Sequence, residues 1–383
     1  MGASQEFPYL RAQRSRHSSA KWRAYDDDVL PAWVAEMDFP LAECISEALH
    51  DAVDRSDTGY RWPGNLPAVT RDFYARHQGW HFLDSQVIVL ADVLTAMAEA
   101  MRRLTPQGSS IVVTSPIYPP FVHVTQSVVD RQVVDVPLRA GHLDLEGLER
   151  AFAQEDVSAF LMCHPHNPTG MMADRETLLN VARLARAHNV VVISDEIWSP
   201  LTWGEPAFIP YLSIDPQLTA HDVALVSASK AFNLAGLKCA QIIAGSPEVA
   251  DTLRARIPVE ITYGTGHLGV IASTAAYSAG DSWLGATTEL IRANIALLAQ
   301  ELAEHLPQIV FDAPEATYLA WLDCRALDLG SDPAKIFLER GRLAVNPGHT
   351  FGERGRGFVR LNLAMDSVLV KEAVARMQRS LSE

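Results

Sequence analysis

The chain has 383 residues, 48% hydrophobic and 20% charged, an ordinary composition for a soluble globular protein and more chain than one compact core accommodates. Lys and Arg total 32 against 46 Asp and Glu, a net charge of −14, which argues against nucleic acid or an anionic membrane as a partner. No apolar run approaches the roughly 20 residues needed to span a bilayer. Four scattered cysteines (Cys44, Cys163, Cys239, Cys324) show neither CxxC spacing nor a disulfide framework, so no metal site is expected and a cytoplasmic location is.

Residues 1–28 are polar and read as an arm with little regular structure; no apolar stretch follows their arginines as a secretory signal requires. Residues 30–40, rich in apolar and aromatic side chains between prolines, read as an extended, packed segment. Cys44, Ile45, Ala48, Leu49 and Val53 form the stripe of a helix over 41–54. A Gly- and Pro-punctuated loop over 58–64 leads to a helix over 66–77. From residue 86 short β-branched strands alternate with helices. Strands are expected at 86–90, 110–115, 131–137, 159–163, 190–194 and 223–227, and helices at 95–104, 121–128, 145–153 and 174–188. This alternation predicts an α/β fold, a mostly parallel central sheet with helices on both faces. Beyond about residue 285 the pattern changes: a long helix over 286–305, strands near 309–311, 318–322, 343–345 and 358–363, and helices over 333–340 and from 368. Residues 48–287 are therefore expected to form a large domain, and 1–47 with 288–383 a smaller α+β domain.

Ligands of parallel sheets bind at the carboxyl ends of the strands. Four polar segments are expected there: 116–120, 166–170, 195–198 and 227–230. Lys230 follows the apolar run Val223–Val226 and the hydroxyls of Ser227 and Ser229. A buried lysine loses proton affinity, and its neutral amine attacks aldehydes to form a Schiff base. Ser227, Ser229 and Lys238 could hold an anion such as a phosphate. Read alone, Lys230 is more simply a solvated lysine past a strand. Asp195 ends the apolar run 190–194 and needs a cationic or donor partner, which a protonated pyridine nitrogen would supply; otherwise it caps the next helix. Asn167 stands in an Asn-Pro-Thr-Gly turn and could donate into a cleft. Tyr118, between prolines, could stack on a flat ring or simply pack. Arg360, on the last strand, is shaped to take a carboxylate through two hydrogen bonds, or else forms a surface salt bridge.

Ser227-Ala-Ser-Lys230 with Lys238, Asn167-Pro-Thr-Gly170, Ser194-Asp-Glu-Ile197 and Arg360-Leu-Asn362 together resemble the fold-type I pyridoxal-phosphate enzymes of the aminotransferase class I/II superfamily. Lys21-Trp22, the segment 31–39 (PAWVAEMDF), Gly59-Tyr60, the segment 316–323 (ATYLAWLD) and Phe351-Gly352 resemble its MalY/PatB branch of cystathionine β-lyases and C–S lyases. The resemblance implies the three-layer transferase fold and pyridoxal 5'-phosphate as cofactor. It implies that Lys230 carries the Schiff base, Asp195 pairs with the ring nitrogen, Asn167 contacts the ring oxygen and Tyr118 stacks on the ring. Ser227, Ser229 and the backbone near Val93 and Leu94 would cradle the phosphate, with Lys238 adding charge. Arg360 would bind the substrate carboxylate, with Trp33 beside the substrate. Tyr60 would reach the neighbouring subunit's cofactor and substrate, so a homodimer with shared sites is expected. Trp198 stands where many aminotransferases of the superfamily carry a tyrosine, which points toward a lyase; Glu36 replaces a frequent aspartate. The implied reaction is β-elimination from cystathionine or another S-substituted L-cysteine. The alternatives are transamination between an L-amino acid and a 2-oxo acid, and a non-catalytic role in binding another protein.

Overall fold

The computed structural model describes residues 8–204 and 207–382. Among them a seven-stranded sheet forms the centre. After a two-residue strand β1 (Leu30–Pro31), its members in chain order are β2 (Val87–Leu90), β3 (Ser110–Val113), β4 (Gln132–Asp135), β5 (Val157–Cys163), β6 (Val191–Asp195), β7 (Val223–Val226) and β8 (Ala240–Ala244). Their spatial order is β2-β8-β7-β6-β5-β3-β4. Strands β3 to β7 pair in parallel, whereas β8 runs antiparallel to both β2 and β7. β2, β3, β7 and β8 are buried along their whole length, so their β-branched runs show no polar alternation, as expected of a sheet covered on both faces.

The α/β architecture expected from the alternation is present. β8 and the helices Pro247–Arg256, Val259–Thr262 and His267–Ala279 are present without having been expected from the sequence. β8 is five residues long, and its antiparallel placement follows no βαβ crossover. The helix expected over 95–104 starts at Val93, because Asp92 caps it by accepting the Thr95 N–H at 2.8 Å.

The expectation for residues 1–28 is corrected. Residues 1–7 lie outside the described part, but Pro8–Arg16 and Ala20–Arg23 are helices, and Leu10, Lys21 and Trp22 are buried. Two of the charges that suggested a solvated arm, Arg14 and Lys21, are buried and find internal partners. Arg14 Nη1 donates to Trp22 O at 2.6 Å, and Lys21 Nζ pairs with Asp38 at 2.8 Å. In the helix Glu43–Asp54, Ile45 and Ala52 face the core while Val53 is 57% exposed, so the apolar stripe ends one residue earlier than the sequence suggested.

A second, antiparallel sheet joins β9 (Val310–Phe311), β10 (Leu319–Asp323), β12 (Asn346–Pro347) and β13 (Phe358–Asn362) in the order β12-β13-β10-β9. β11 (Leu343–Ala344) instead pairs in parallel with β1, which ties the early chain to the late chain. The helices Asp281–His305 and Ser367–Ser380 pack on each other. Buried Asn294 links the first of them to Leu363 O and Met365 O at 2.9 and 2.7 Å. At Gly170, with φ of +71°, an added Cβ would lie 2.4 Å from Pro314 Cβ. Only glycine lets the 167–170 turn close against the segment leading to β10.

Candidate active site

One cavity of about 350 Å³ lies at the carboxyl ends of β5, β6 and β7, closed on its other side by residues of the second sheet and of segment 33–35. Register explains the convergence. On adjacent strands Cys163 pairs with Asp195 and Asp195 with Leu225, so Asp195 stands between the ends of β5 and β7. The chain leaving β7 turns at Ser227, whose Oγ accepts the Ser229 N–H and so starts the short helix Ala228–Ala231. Lys230 lies in that helix rather than at a strand end. Its Nζ donates to Ala35 O at 2.9 Å and stands 5.7 Å from the Trp198 ring.

Burial is the main cause of the unusual protonation here. It lowers the Lys230 amine to about 8, helped by the nearby Arg360 charge and opposed by Asp195. It raises Asp195 to about 7, opposed by the Ile197 N–H at 3.1 Å and by Lys230. His164 and His166 are both lowered to about 4 by burial and stay neutral near pH 7. The lysine is thus a cavity-lining group able to both lose and regain a proton near neutrality.

Arg360 is 4% exposed, so the surface-salt-bridge reading does not hold. Its Nη1 donates to Asn167 Oδ1 at 3.0 Å, and its Nη2 to Asn346 Oδ1 at 2.6 Å and Trp33 O at 3.2 Å. Its guanidinium lies 5.0 Å from the centre of the Phe351 ring, and Nε has no hydrogen-bond partner. None of these contacts is with a carboxylate, so a buried cation is left without a counter-ion among them, which suits it to an anionic ligand. Because Asn167 gives its oxygen to Arg360, its NH2 group remains as the donor.

Of the residues singled out in the sequence, Trp33, Val93, Leu94, Tyr118, Asn167, Asp195, Ser227, Ser229, Lys230, Lys238 and Arg360 all line this cavity. Val93 and Leu94 open the helix Val93–Leu104, where unpaired N–H groups favour an anion. Two of the residues have other commitments. The Ser227 hydroxyl donates to Cys239 O at 2.7 Å, and Lys238 pairs with Asp92 at 3.0 Å, which offsets part of its charge. Tyr60 stands apart: it is 87% exposed and does not line this chain's cavity. Asn346, Cys163 and Asp92 also line the cavity, although their place in the sequence did not mark them as site residues. Asn346 sits directly across from Arg360 in the β12–β13 register, a pairing invisible before the strands are placed. Asp92 could have been found, as an Asp just ahead of a helical run.

The donor set fits a pyridoxal ring and phosphate. It comprises an amine of lowered proton affinity, a buried carboxylate, an amide donor, a helix N-terminus and an uncompensated guanidinium. No cluster of His, Cys, Asp and Glu able to hold a metal occurs among the described residues.

The aminotransferase class I and II family model matches residues 36–377. A protein of Mycobacterium leprae provisionally named cystathionine beta-lyase is 43% identical over 95% of either chain. The cystathionine beta-lyase PatB of Bacillus subtilis is 33% identical over 97% of this chain and 99% of its own. A Corynebacterium diphtheriae structure described as a candidate PLP-dependent beta-cystathionase superposes with a TM-score of 0.93 at 33% identity. It covers 99% of this chain and 100% of that one.

Proposed function

The chain belongs to the aminotransferase class I and II family, and from that premise we propose a carbon–sulfur β-lyase dependent on pyridoxal 5'-phosphate. It cleaves cystathionine or related S-substituted L-cysteines to a thiol, pyruvate and ammonia. The observation that carries this reading is the convergence of Lys230, Asp195 and Arg360 on one cavity.

Lys230 would join the cofactor's aldehyde carbon, Asp195 its ring nitrogen and Asn167 its ring oxygen, with Tyr118 against the ring. Ser227, Ser229 and the N-terminus at Val93 and Leu94 would take the phosphate, with Lys238 supporting. When bound, the cofactor supplies an electron sink for charge developing at the substrate α-carbon. Arg360 binds the substrate carboxylate, with its guanidinium already aimed by Asn346 and Asn167. Trp33 walls the substrate side. Lys230, once its amine is free, takes the Cα proton; a basicity near 8 lets a useful fraction be neutral at pH 7. The thiolate leaves from Cβ, and the three-carbon enamine hydrolyses to pyruvate and ammonia. Trp198 brings no hydroxyl to the site, so the ring-oxygen donor found in many aminotransferases is missing at this position.

Tyr60 is read as serving the site of a second copy in a homodimer; its exposure supports that reading. A cytoplasmic location rests on four unpaired thiols. The deciding experiment is pyruvate release from cystathionine with no 2-oxo acid present. Release at a steady rate is expected. Amino transfer to an added 2-oxo acid without pyruvate release would replace the lyase by an aminotransferase.

A further inference from the structure

Residues 33–38 form a strap without regular secondary structure, and Trp33, Val34 and Ala35 line the cavity. The strap's carbonyls receive both functional cations: Ala35 O accepts from Lys230 at 2.9 Å, and Trp33 O from Arg360 at 3.2 Å.

Two asparagines hold the strap, and each lies close in sequence to one of those cations. Asn233, three residues after Lys230, binds the Met37 peptide from both sides. Its Oδ1 accepts the Met37 N–H and its Nδ2 donates to Met37 O, each at 2.9 Å. Asn362, two residues after Arg360 on β13, donates to Val34 O and Glu36 O, each at 2.7 Å. Its Oδ1 accepts the Ala364 N–H at 2.8 Å. Asn362 is 1% exposed, and neither asparagine lines the cavity. The backbone is thus gripped at residues 34, 36 and 37, around the two carbonyls that face Lys230 and Arg360. Trp33 O and Ala35 O lie only two residues apart on that gripped backbone.

We propose that Asn233 and Asn362 are paired positioning residues, which make the strap a mechanical link setting the seat of the Lys230 amine and the aim of Arg360 together. The inference rests on the roles given to Lys230 and Arg360 above. A carbonyl facing an amine favours its protonated form, so a loosened Ala35 O lowers the proton affinity of Lys230. A loosened Trp33 O lets the guanidinium tilt out of the plane in which it takes a carboxylate with two bonds. Since one body carries both carbonyls, release at either end reaches both cations.

Two variants test the link without adding charge. Asn233→Gly keeps the left-handed backbone found at this position (φ of +57°) and removes both Met37 bonds. Asn362→Ala removes the two donors to the strap. The first readout needs no cofactor. The chain has five lysines, so 13C-methyl NMR of the reductively methylated, cofactor-free protein follows Lys230, assigned by its loss in Lys230→Ala. The second is the dissociation constant of the cofactor-loaded protein for L-alanine, which binds through its carboxylate and has no leaving group. Asn233→Gly is expected to lower the Lys230 titration midpoint and to weaken L-alanine about tenfold, the worth of one charged hydrogen bond. Asn362→Ala is expected to do the same, and the double variant to weaken L-alanine no further than the stronger single variant. An Asn233→Gly protein altered at Lys230 but not toward L-alanine overturns the link, as do effects that multiply in the double variant. A lowered melting temperature with neither readout moved makes the asparagines purely structural. If Asn362→Ala does not fold, Asn233→Gly decides alone. A Lys230→Ala protein that keeps the cofactor's visible band refutes the underlying roles, whereas the NMR outcome judges the strap.

Discussion

Asp195 is an acid in surroundings that favour its neutral form. Burial raises its pKa from 3.8 to about 7, against the pull of the Ile197 N–H and Lys230. The sign for stability follows. With the folded value above the unfolded one, the native state holds its proton longer. The stability this contributes is complete below about pH 4 and is lost as pH rises through about 7. Asp195→Asn removes that dependence. In the cofactor-free protein it is expected to be more stable than the parent above pH 7, by an amount on the order of 2–4 kcal/mol. The gain should vanish below about pH 4. Urea unfolding at pH 8 and pH 4 measures both limits; an equal difference at the two would show that the carboxyl is not held neutral. The same variant should bind cofactor poorly, because an amide offers a protonated ring nitrogen no counter-charge. In the role proposed for it, Asp195 would pair its charge with the loaded cofactor and be a liability when the site is empty. Glu196, raised to about 8 by burial, carries a liability of the same sign beside it.

Among the elements, the first two helices and the strap work as one assembly. Lys21 is fully buried and gives hydrogen bonds to Asp38 at 2.8 Å and Glu36 O at 3.1 Å, while Trp22 Nε1 adds a bond to Asp38 at 3.0 Å. Breaking one side of a buried ion pair leaves the other charge without compensation. Lys21→Met is therefore expected to cost about 3–5 kcal/mol of unfolding free energy. Lys21→Met combined with Asp38→Leu should recover part of this, since an apolar pair leaves no buried charge. Denaturant midpoints of the two variants give the comparison; equal destabilisation in both would show that the ion pair itself is not what matters. The residues that looked like a solvated arm thus brace the strap that faces Lys230. Their polarity gave no hint of burial, because their partners, Asp38 and the backbone of 22–29, fold around them only in the finished molecule.

Across the whole molecule, one surface is unusually aromatic. Tyr60, Trp62, Val259 and Tyr263 are 87%, 76%, 52% and 55% exposed. The Tyr60 and Tyr263 rings lie 5.9 Å apart, and Arg61 Nε ties the two segments by donating to Thr262 O at 3.0 Å. In the homodimer proposed above, apolar groups clustered in this way are the surface expected to meet the second copy. A dimer is expected in sedimentation velocity, and Trp62→Asp should shift it toward monomer and lower cofactor retention at the same time. A variant that is monomeric yet retains cofactor fully would separate Tyr60 from the neighbouring site.

The chain's own order of residues determined the class of architecture and the chemical inventory of the site. Alternating buried strands and helices can be recognised locally, because burial on both faces leaves continuous β-branched runs. Asp195 and Arg360 were legible because each ends or interrupts an apolar run where a polar group is costly without a partner, Asn167 because of its turn, and Lys230 only beside the other motifs. The tertiary structure decided what those groups do to one another. It lowered Lys230 and raised Asp195 through burial, seated Asn346 across from Arg360, drew Lys238 to Asp92, and packed Lys21 and Trp22 against the strap. It also reversed β8 against its neighbours. Desolvation and hydrogen-bond partnership depend on segments far apart in the chain, 327 residues for Arg360 and Trp33. No local pattern carries that information; it exists only once the two sheets and the strap between them are assembled.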